Sequence, residues 1–580
     1  MRGSVIAILL AFATLGSYAA EPTRDTLPDA VLTDCLSVAR DTLLCVQAGK
    51  PAPQVARPAS DDPRALPLGV RVAYWHAGKE LSAAFADQTS AIMNARMAAV
   101  RAAATLPKDA PTPTVVVELD WPATPSPTGA EAILSLPRGL AGLIMAAEKD
   151  TVRISAVEHL RLGTGFRDEM AQIIETRFKT PIKELRGSKI SFATFPALVG
   201  VLSPDERATR LYRDDALLTD TAVTRESLSL ALSSACAWLI AHQVDGLFPL
   251  SVAPDDAQAP ARDAQRHPGR QARAASALAE ASKLSKSQPA MDSARAALAA
   301  VLAKAYADHP QGEIGFCVDG RRIEVEDSQE ALLAIVATGT QTEYRHQGDF
   351  LCAFLLYQQE ADGGFRKVLS PPSSERMVPS WRPRKALRAW HAAIAAPAQP
   401  KSLTAGLSHE LSAFWQTIAA ERAPDFLCVC TEFSDMDTSL REEGAKLSRI
   451  LAANQGMATS KTAYRDLRGS FTQQTADPSS VETRDIARAC TALALAIRHG
   501  VLPEKQRTEA TEALSAGLRA LLQQQIRDAQ SAWYWADGEK AVGGFRESVC
   551  DPAIRLTTQA AAVEALIAAL QTPAFASPAP

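Results

Sequence analysis

The sequence predicts an α+β protein of two domains, in which an α/β domain is followed by an all-α domain built from helical hairpins. Residues 67–210 alternate short β-rich runs with helical runs, whereas residues 224–571 consist of long alanine- and leucine-rich helical segments. A chain of 580 residues is also too long for a single hydrophobic core. These bounds leave residues 21–66 as an N-terminal segment and residues 572–580 as a proline-rich, disordered tail.

The first twenty residues have the pattern of a secretory signal peptide. Arg2 precedes an apolar run from Val5 to Leu15, and the small residues Ala19 and Ala20 suit cleavage. The run is shorter than the roughly 18 apolar residues of a membrane anchor, which is the alternative interpretation. We therefore expect a periplasmic or secreted protein with no transmembrane segment after signal removal.

Four short runs in residues 67–210 are predicted strands because they are rich in β-branched or aromatic residues and bounded by proline, glycine or charge. They are residues 70–76, 114–121, 139–146 and 151–157. Helices are predicted at 81–106 and 165–178 from the spacing of their apolar residues. In the second domain, helices are predicted near 226–244, 269–284, 290–307, 327–338, 347–360, 383–396, 403–420, 436–452, 481–499, 504–529 and 555–571.

Net charge, sequence motifs and cysteine content limit the classes of partner and cofactor that this chain can have. The formal net charge of −4 argues against a nucleic-acid partner, since phosphates attract a basic surface. The sequence contains no paired CxxC elements, HExxH, P-loop, GxSxG or strand-linked GxGxxG, so we predict no metal site and no cofactor. The number of cysteines, nine, is odd. Cys35 and Cys45 are predicted to form a disulfide. Cys428 and Cys430 are predicted to be buried in the core as small apolar residues.

A short sequence motif, which we call the phrase, recurs at the ends of predicted helices. It reads LIAHQVDGLF from Leu239, returns as LLYQQEADGGF from Leu355, and has a looser third copy in which Gln523 to Gln525 precede a loop ending in Gly543-Gly544-Phe545. We expect each glycine to end its helix in a left-handed turn and each glutamine to bond backbone groups freed there. A recurring helical hairpin is typical of repeat architectures.

This phrase resembles the Gln-(several)-Gly-x-aromatic repeat of the α/α-toroid proteins, the terpenoid cyclase and protein prenyltransferase group. The closing segment from Gly543 to Ser548, with Ile554-Arg555 and Thr558-Gln559, is also similar to the last hairpin of six-hairpin, sugar-active toroids. The resemblance covers about residues 225–571 and implies that the second domain is an α/α toroid. It leaves the activity open, because that fold hosts cyclases, glycosidases, epimerases and binding modules. The α/β domain distantly resembles the AMMECR1 domain but lacks that family's arginine-glycine-cysteine phrase.

Class II terpenoid cyclases use an Asp-x-Asp-Asp element to protonate their substrate. Here Asp435 and Asp437 are followed by Thr438, so the third acid is missing. One carboxyl of that element must be kept protonated by its neighbours, which makes the loss important. Helix capping explains the two aspartates more simply.

Carbohydrate chemistry fits an exported toroid better, because its rim loops can present paired carboxylates and aromatic side chains. The predicted catalytic residues are His267, Glu547 and Asp551. The predicted substrate-binding residues are Arg266, Arg366, Trp381, Trp533, Trp535, Arg546 and Arg555. If these arginines converge, they form the mouth of a site that binds an anion or a uronate. The alternative is that they donate hydrogen bonds to carbonyls at helix C-termini. At least one of the tryptophans is expected to fill the core instead of binding a ligand.

The leading hypothesis is therefore an exported protein that acts on or binds a polysaccharide or glycan at the rim of a toroid. The alternatives are a non-catalytic scaffold or binding protein and, third, a relative of the terpenoid cyclases. An enzyme would place two carboxylates, or a carboxylate and His267, across one cavity at about 5–10 Å.

Overall fold

The structure is a computed structural model. It describes residues 27–59, 66, 68–126, 137, 139–147, 150–161, 166–181, 184–185, 188–213, 215–254, 267–370, 375–377, 381–395, 403, 407, 410–412, 415, 422–455, 465–471, 481–528 and 532–575. The predicted signal peptide and the end of the predicted tail lie outside these residues, as does Arg266.

The α/β domain is built mainly on one antiparallel sheet. Its elements are α1 (Asp29–Gln47), β1 (Gly69–His76), β2 (Lys79–Ala86), α2 (Ala91–Thr105), β3 (Thr114–Asp120), β4 (Thr124–Ser126), β5 (Ala141–Ala147), β6 (Asp150–Ile154), α3 (Ala156–Arg161), α4 (Phe166–Phe178), β7 (Ser191–Leu202) and β8 (Ala208–Leu211). The strand order is β2-β1-β3-β7-β5-β6, with β4 and β8 also paired to β7.

Strand alternation gives this sheet two different faces. Val70, Val72 and Tyr74 of β1 belong to a core that includes apolar residues of α1 and α2. Ala73 and Trp75, which point to the opposite face, belong to the core of the all-α domain. The sheet therefore joins the two domains through one of its faces.

The second domain contains most of the helices. Its elements are α5 (Arg225–His242), β9 (Ser251–Val252), α6 (Pro268–Ser285), α7 (Gln288–Ala305), β10 (Tyr306–Asp308), β11 (Gly315–Asp319), β12 (Arg322–Glu324), α8 (Val325–Thr338), α9 (Arg345–Gln358), β13 (Phe365–Arg366), β14 (Val368–Ser370), β15 (Arg376–Met377), α10 (Trp381–Ala393), α11 (Ala423–Glu432), α12 (Ser439–Ala453), α13 (Thr483–Arg498), α14 (Glu504–Gln523), α15 (Gly538–Ala541), β16 (Arg546–Ser548), β17 (Asp551–Arg555) and α16 (Leu556–Leu570).

Six of these helices form a closed series of contacts, which we call the ring. Helix α6 packs against α8, α8 against α10, α10 against α11, α11 against α13, α13 against α16, and α16 returns to α6. Helices α5, α7, α9, α12 and α14 each pack against one or more ring helices. The many alanines of α6, α13 and α16 are buried, and their small side chains let neighbouring helices approach closely.

The repeated phrase forms the same local structure in each copy. Gln243 donates to the carbonyl of Gly246 at 3.1 Å, and Gln525 donates to that of Gly543 at 3.3 Å. The second copy uses Gln359 and Gly363 at 3.1 Å. All three glycines have positive φ, as expected for turns that end these helices. A fourth pair, Gln455 and Gly469, makes the same hydrogen bond at 2.9 Å. This pair was not predicted from the sequence.

Two ion pairs and an aromatic contact connect the domains. The Arg213 Nε atom lies 2.5 Å from an Asp466 carboxylate oxygen, and both side chains are almost completely buried. Arg527 pairs with Asp215 at 2.6 Å. Trp75 and Trp533 meet edge to face with ring centroids 5.1 Å apart. The two domains consequently share one continuous apolar core.

The predicted helix over 81–106 is wrong in its first part, where the structure has strand β2. Alanine favours helices, but residues 79–86 pair with the β1 residues from Val70 to His76. The turn between the strands is Ala77-Gly78, and both residues have positive φ, as a tight hairpin requires. Pairing with a neighbouring strand thus overrides the local preference.

The predicted Cys35–Cys45 disulfide is also wrong. Both residues lie on helix α1, ten positions apart, which separates them by about 15 Å along the axis. A disulfide needs Cα atoms within about 7 Å. None of the nine cysteines forms a disulfide. Cys428 and Cys430 are buried, as predicted.

Candidate functional site

Two of the cavities in the described part of the chain are lined by ring helices. The N-terminal chamber, about 330 Å³, lies among the first turns of the ring helices, and its wall includes Arg273, Glu326, Gln329, Trp381, Arg382, Asp425, Arg484, Arg488, Thr491 and Glu564. A second cavity, about 390 Å³, lies among the later turns of the same helices. Trp381, Arg382, Thr491 and Glu564 line both cavities, so they form the partition between them.

The partition is held together by ion pairs between ring helices. Glu564 of α16 accepts hydrogen bonds from Arg273 of α6, the shorter at 2.6 Å, and lies 3.4 Å from Arg382 of α10. Arg382 also makes two parallel hydrogen bonds to Glu330 of α8. Burial alone would raise the pKa of Glu564, but Arg273 and Arg382 outweigh it and lower that pKa to about 2. Glu564 is therefore ionised at neutral pH and is unsuited to act as a general acid.

The opposite side of the chamber is also charge-paired. Arg488 of α13 pairs with Asp425 of α11 and, at 3.1 Å, with Asp485. Arg484 pairs with Glu482 at 2.7 Å. The arginines of this chamber wall thus already have carboxylate partners.

Two acceptors on α8 differ from these paired groups. Glu326 lines the chamber without a hydrogen bond or ion pair to any residue that the structure describes. Gln329, one turn further along, is only 1% exposed, and its Oε1 atom has no hydrogen-bond donor among the described residues. Glu326 is exposed, so water can satisfy its carboxylate, whereas the buried Oε1 atom of Gln329 is an acceptor that lacks a donor among the described residues.

Trp381 is the predicted substrate-binding residue that lies in the chamber. It begins helix α10, and its ring faces Arg382 and Lys385 at 5.2 and 5.3 Å. The two cations fix the plane of the indole.

Three predicted residues come together beside the chamber, on β16, β17 and the start of α16. Arg555 lies 3.1 Å from Asp551 and 3.6 Å from Glu547. Burial raises the pKa of Glu547, although Thr558 donates a hydrogen bond to it and Arg555 is close. Glu547 is the predicted acid whose environment favours a proton.

His267 lies at the N-terminus of α6 in a left-handed conformation, and its Nδ1 atom is 3.0 Å from Asp319. Asp327 on the neighbouring helix α8 accepts a hydrogen bond from the backbone of Gly269 at 2.8 Å, so it caps α6. Burial, with Glu324, Glu326 and Asp319 nearby, raises the pKa of Asp327 to about 7, against the lowering effect of that hydrogen bond.

The remaining predicted residues are placed elsewhere. Arg546 is buried and donates hydrogen bonds to the carbonyls of Gln523 and Gln524 at the end of α14. This is the alternative role given above for the arginines, in which they bond carbonyls at a helix C-terminus. Arg366 pairs with Glu360 at 3.2 Å on the hairpin after α9. The predicted arginine mouth is therefore not assembled from the described residues.

Trp533 and Trp535 do not lie on a rim. They are 7% and 3% exposed and pack between the domains, where Trp533 contacts Trp75. Aromatic residues of a polar loop become buried when a second domain packs against that loop. This packing between domains could not be inferred from the loop's own sequence.

The Asp435 and Asp437 pair has local structural roles. Asp435 binds Arg388 at 2.6 Å, and Asp437 accepts a hydrogen bond from the Ser439 backbone at 3.0 Å, as a cap does. Among the described residues there is no group of three His, Cys, Asp or Glu side chains able to hold a metal ion. No described helix is long and apolar enough to cross a membrane.

Sequence reasoning missed the charged partition itself. A signal was present in α16, whose fifteen residues contain a single charge, Glu564, among alanine, leucine and isoleucine. A lone carboxylate on a helix buried all round needs a partner from another helix, and that requirement identifies it as an interior ionic site.

The chain matches no protein-family model and no curated protein. Solved structures similar to it include an uncharacterized protein from Pyrococcus horikoshii, with 15% identity and a TM-score of 0.25 over 32% of this chain and 98% of that one. A family 76 glycoside hydrolase from a bovine Bacteroides thetaiotaomicron strain has 8% identity and a TM-score of 0.28 over 79% of this chain and 96% of that one. A metagenome-derived glycoside hydrolase family 9 endoglucanase has 10% identity and a TM-score of 0.30 over the same shares.

Proposed function

We propose that this chain is an exported carbohydrate-binding protein whose ligand occupies the N-terminal chamber at the centre of an α/α toroid. The observation that carries the proposal is the chamber wall, in which Trp381 lies beside unpartnered acceptors on α8 and ionised side chains held by other ring helices. Export rests on the signal-peptide pattern of residues 1–20.

The chemistry of this wall suits a polyhydroxylated ligand. Sugar hydroxyls both donate and accept hydrogen bonds, so they can bond Gln329, Glu326 and the outer nitrogens of Arg484. The indole of Trp381 adds apolar surface to the same wall, against which the C–H groups of a sugar can pack. The closed contacts of the six ring helices support the toroid, because they surround the cavity with one wall from each helix.

Hydrolysis is the second candidate, and one observation favours it. Burial raises the pKa of Glu547, and this carboxyl group shares Arg555 with Asp551, so two carboxyl groups lie beside one guanidinium. A pair of carboxyl groups is what an acid and a base or nucleophile need.

The test is a glycan array followed by titration calorimetry on the chain from Glu21, with a variant that fills the chamber. Thr491 lines the chamber, and its hydroxyl bonds the carbonyl four residues earlier at 3.0 Å. Thr511 on α14, outside the ring, makes the same bond at 2.7 Å, so Thr511→Trp is a matched control.

We expect Thr491→Trp to abolish glycan binding and Thr511→Trp to preserve it, with both variants folded by circular dichroism. Binding that survives a folded Thr491→Trp variant would place the ligand elsewhere and overturn the proposal. Turnover of a bound polysaccharide that disappears in Glu547→Gln, with binding intact, would make the protein a hydrolase.

A further inference from the structure

We propose that the second cavity of the ring binds a monocarboxylate with an apolar chain, whose carboxylate lies against Arg498 at the C-terminal end of α13. This site is separate from the N-terminal chamber, so the inference goes beyond the proposed carbohydrate function. Side chains of all six ring helices line the cavity, among them Ala277 of α6, Val336 of α8, Ala389 of α10, Glu432 of α11, Leu495 of α13 and Ile567 of α16.

The first argument is the apolar wall of this cavity. Leu333 of α8, Leu495 of α13 and Ile567 of α16 line it and are 7–8% exposed. Leu332 and Leu566, which directly precede the first and the last of these, are completely buried. The ring helices thus leave apolar side chains facing about 390 Å³ of space, which is within the usual size range of small-molecule sites. Water gains few hydrogen bonds against such a wall, so an apolar chain displaces it favourably.

The second argument is the charge balance of the lining. Each lining carboxylate already has a cationic partner: Glu280 is paired with Lys283, Glu432 with Lys385, and Glu564 with Arg273 and Arg382. Arg498 differs, because its partner among the described residues is the neutral side-chain amide of Gln571. The lining therefore carries one positive charge without a counter-charge. One carboxylate matches this charge, whereas a cation is repelled and a dianion brings a negative charge that stays unmatched.

The charge and the apolar wall belong to the same part of the cavity. Arg498 is the last residue of α13, and Leu495, three positions earlier, lies on the same face of that helix. His499 follows Arg498 and also lines the cavity, where its imidazole can donate a second hydrogen bond to a carboxylate. A carboxylate bound at this end therefore directs an attached chain along the apolar side chains.

A cation in the last turn of a helix is also favoured by the helix dipole, which is a sufficient explanation for Arg498 alone. The dipole does not explain why apolar side chains of α8, α13 and α16 face a cavity beside this cation. A ligand with one anionic group and an apolar chain satisfies both features at once.

The experiment is titration calorimetry of the chain from Glu21 with octanoate, octanol and butanoate. We expect octanoate to bind about tenfold more tightly than octanol, the size of one charge-assisted hydrogen bond. Butanoate should bind about a hundredfold more weakly than octanoate, because four fewer methylene groups leave water.

Two variants locate the ligand. Arg498→Gln should lower the affinity for octanoate to that for octanol. Arg449→Gln is the matched control, since Arg449 is an exposed arginine near the C-terminal end of α12 that lines neither cavity. Ala568→Phe, which fills the second cavity from α16, should abolish octanoate binding and preserve glycan binding, because Ala568 does not line the N-terminal chamber.

The outcomes separate the two proposals. Octanoate binding that survives an Ala568→Phe variant shown to be folded by circular dichroism would overturn the assignment to this cavity. A preference for octanoate over octanol that is absent in the wild type, or that persists in Arg498→Gln, would overturn the role of Arg498. Failure of octanoate to bind would overturn this inference alone, and an empty glycan array would overturn the carbohydrate proposal alone.

Discussion

Glu564 and Arg273 are joined by two hydrogen bonds, of 2.6 and 3.2 Å, that connect the last helix of the chain to the first helix of the ring. The same carboxylate lies 3.4 Å from Arg382. One side chain thus ties three ring helices together at the partition between the two cavities.

We expect Glu564→Gln to destabilise the protein by about 2–3 kcal/mol. The substitution keeps the shape but leaves Arg273 and Arg382 with less neutralising charge in a mostly buried place. Urea denaturation at pH 7 measures the change. The exposed substitution Glu313→Gln is the control and should leave the free energy of unfolding unchanged; an equal loss in both variants would contradict the role assigned to Glu564.

The low pKa of Glu564 predicts a specific loss of stability in acid. The folded pKa, about 2, is below the value of about 4.3 expected in the unfolded chain, so the stabilisation is complete above that value and falls as the pH approaches 2. Denaturation curves of the wild type and of Glu564→Gln should therefore converge between about pH 4 and pH 2. A constant difference across this interval would mean that the carboxylate is not the cause.

Asp120 predicts the opposite dependence on pH in the α/β domain. Burial and the neighbouring Glu118 raise its pKa, although Arg153 lowers it, so the folded state takes up a proton that the unfolded chain has lost. Stability is then greatest at acidic pH and falls as the pH rises above about 4, the unfolded value.

Asp120→Asn should reduce this fall, because an amide can donate to Glu118 without a proton from solution. The measurement is the free energy of unfolding at pH 5 and pH 8. Asp150→Asn, an exposed position at the start of β6, serves as control and should keep the wild-type difference. An unchanged difference in Asp120→Asn would show that the carboxyl pair does not set it.

Asp466→Asn tests the connection between the domains. Asp466 and Arg213 are 4% and 2% exposed, so removal of the charge breaks a buried ion pair, at a cost of about 3–5 kcal/mol. We expect calorimetry to show a lower Tm and separate transitions for the two domains. A single transition at the wild-type temperature would mean that the shared apolar core alone couples them.

Gly543→Ala tests the repeated turn. Gly543 has φ +91°, and an added Cβ would lie 2.1 Å from the carbonyl oxygen of Ser234 on α5. Gly312 also has positive φ, +78°, but nothing lies within 4 Å of the position of its Cβ. Gly312→Ala should therefore show only the backbone cost of about 1 kcal/mol, and Gly543→Ala clearly more. Equal losses would mean that the loop can move away from α5.

The sequence predicted what local patterns determine. Most helices of the second domain and the strands beginning at Gly69 and Thr114 lie close to their predicted positions. Ring helix α11 was missed, since its segment from Ala423 to Glu432 is rich in aromatic and β-branched residues and cysteine, which do not favour a helix. Packing between α10 and α13 makes it helical.

The site was harder to predict than the fold because its residues are distant in sequence. Arg273, Arg382 and Glu564 come from three helices, and nothing in the neighbourhood of each residue reveals the others. Trp381, Trp533 and Trp535 were all predicted from their positions in rim loops, but Trp381 lines the chamber whereas Trp533 and Trp535 are covered by the other domain. A loop position does not distinguish an aromatic residue that lines a cavity from one that is covered by another domain.

Closure of the ring through α16 has a consequence for how the chain acquires its structure. The contacts of α16 with α5 and α6 join distant segments, such as Gln559 with Ala235, 324 positions apart, and Glu564 with Arg273, 291 positions apart. They therefore form only after the C-terminal residues have emerged from the ribosome. Until then the apolar faces of α6 and α13 lack their neighbour, and the nascent second domain presents an open arc that chaperones and proteases can engage. If the chain is exported in an unfolded state, as the proposed function assumes, this assembly is postponed until the whole chain has crossed the membrane.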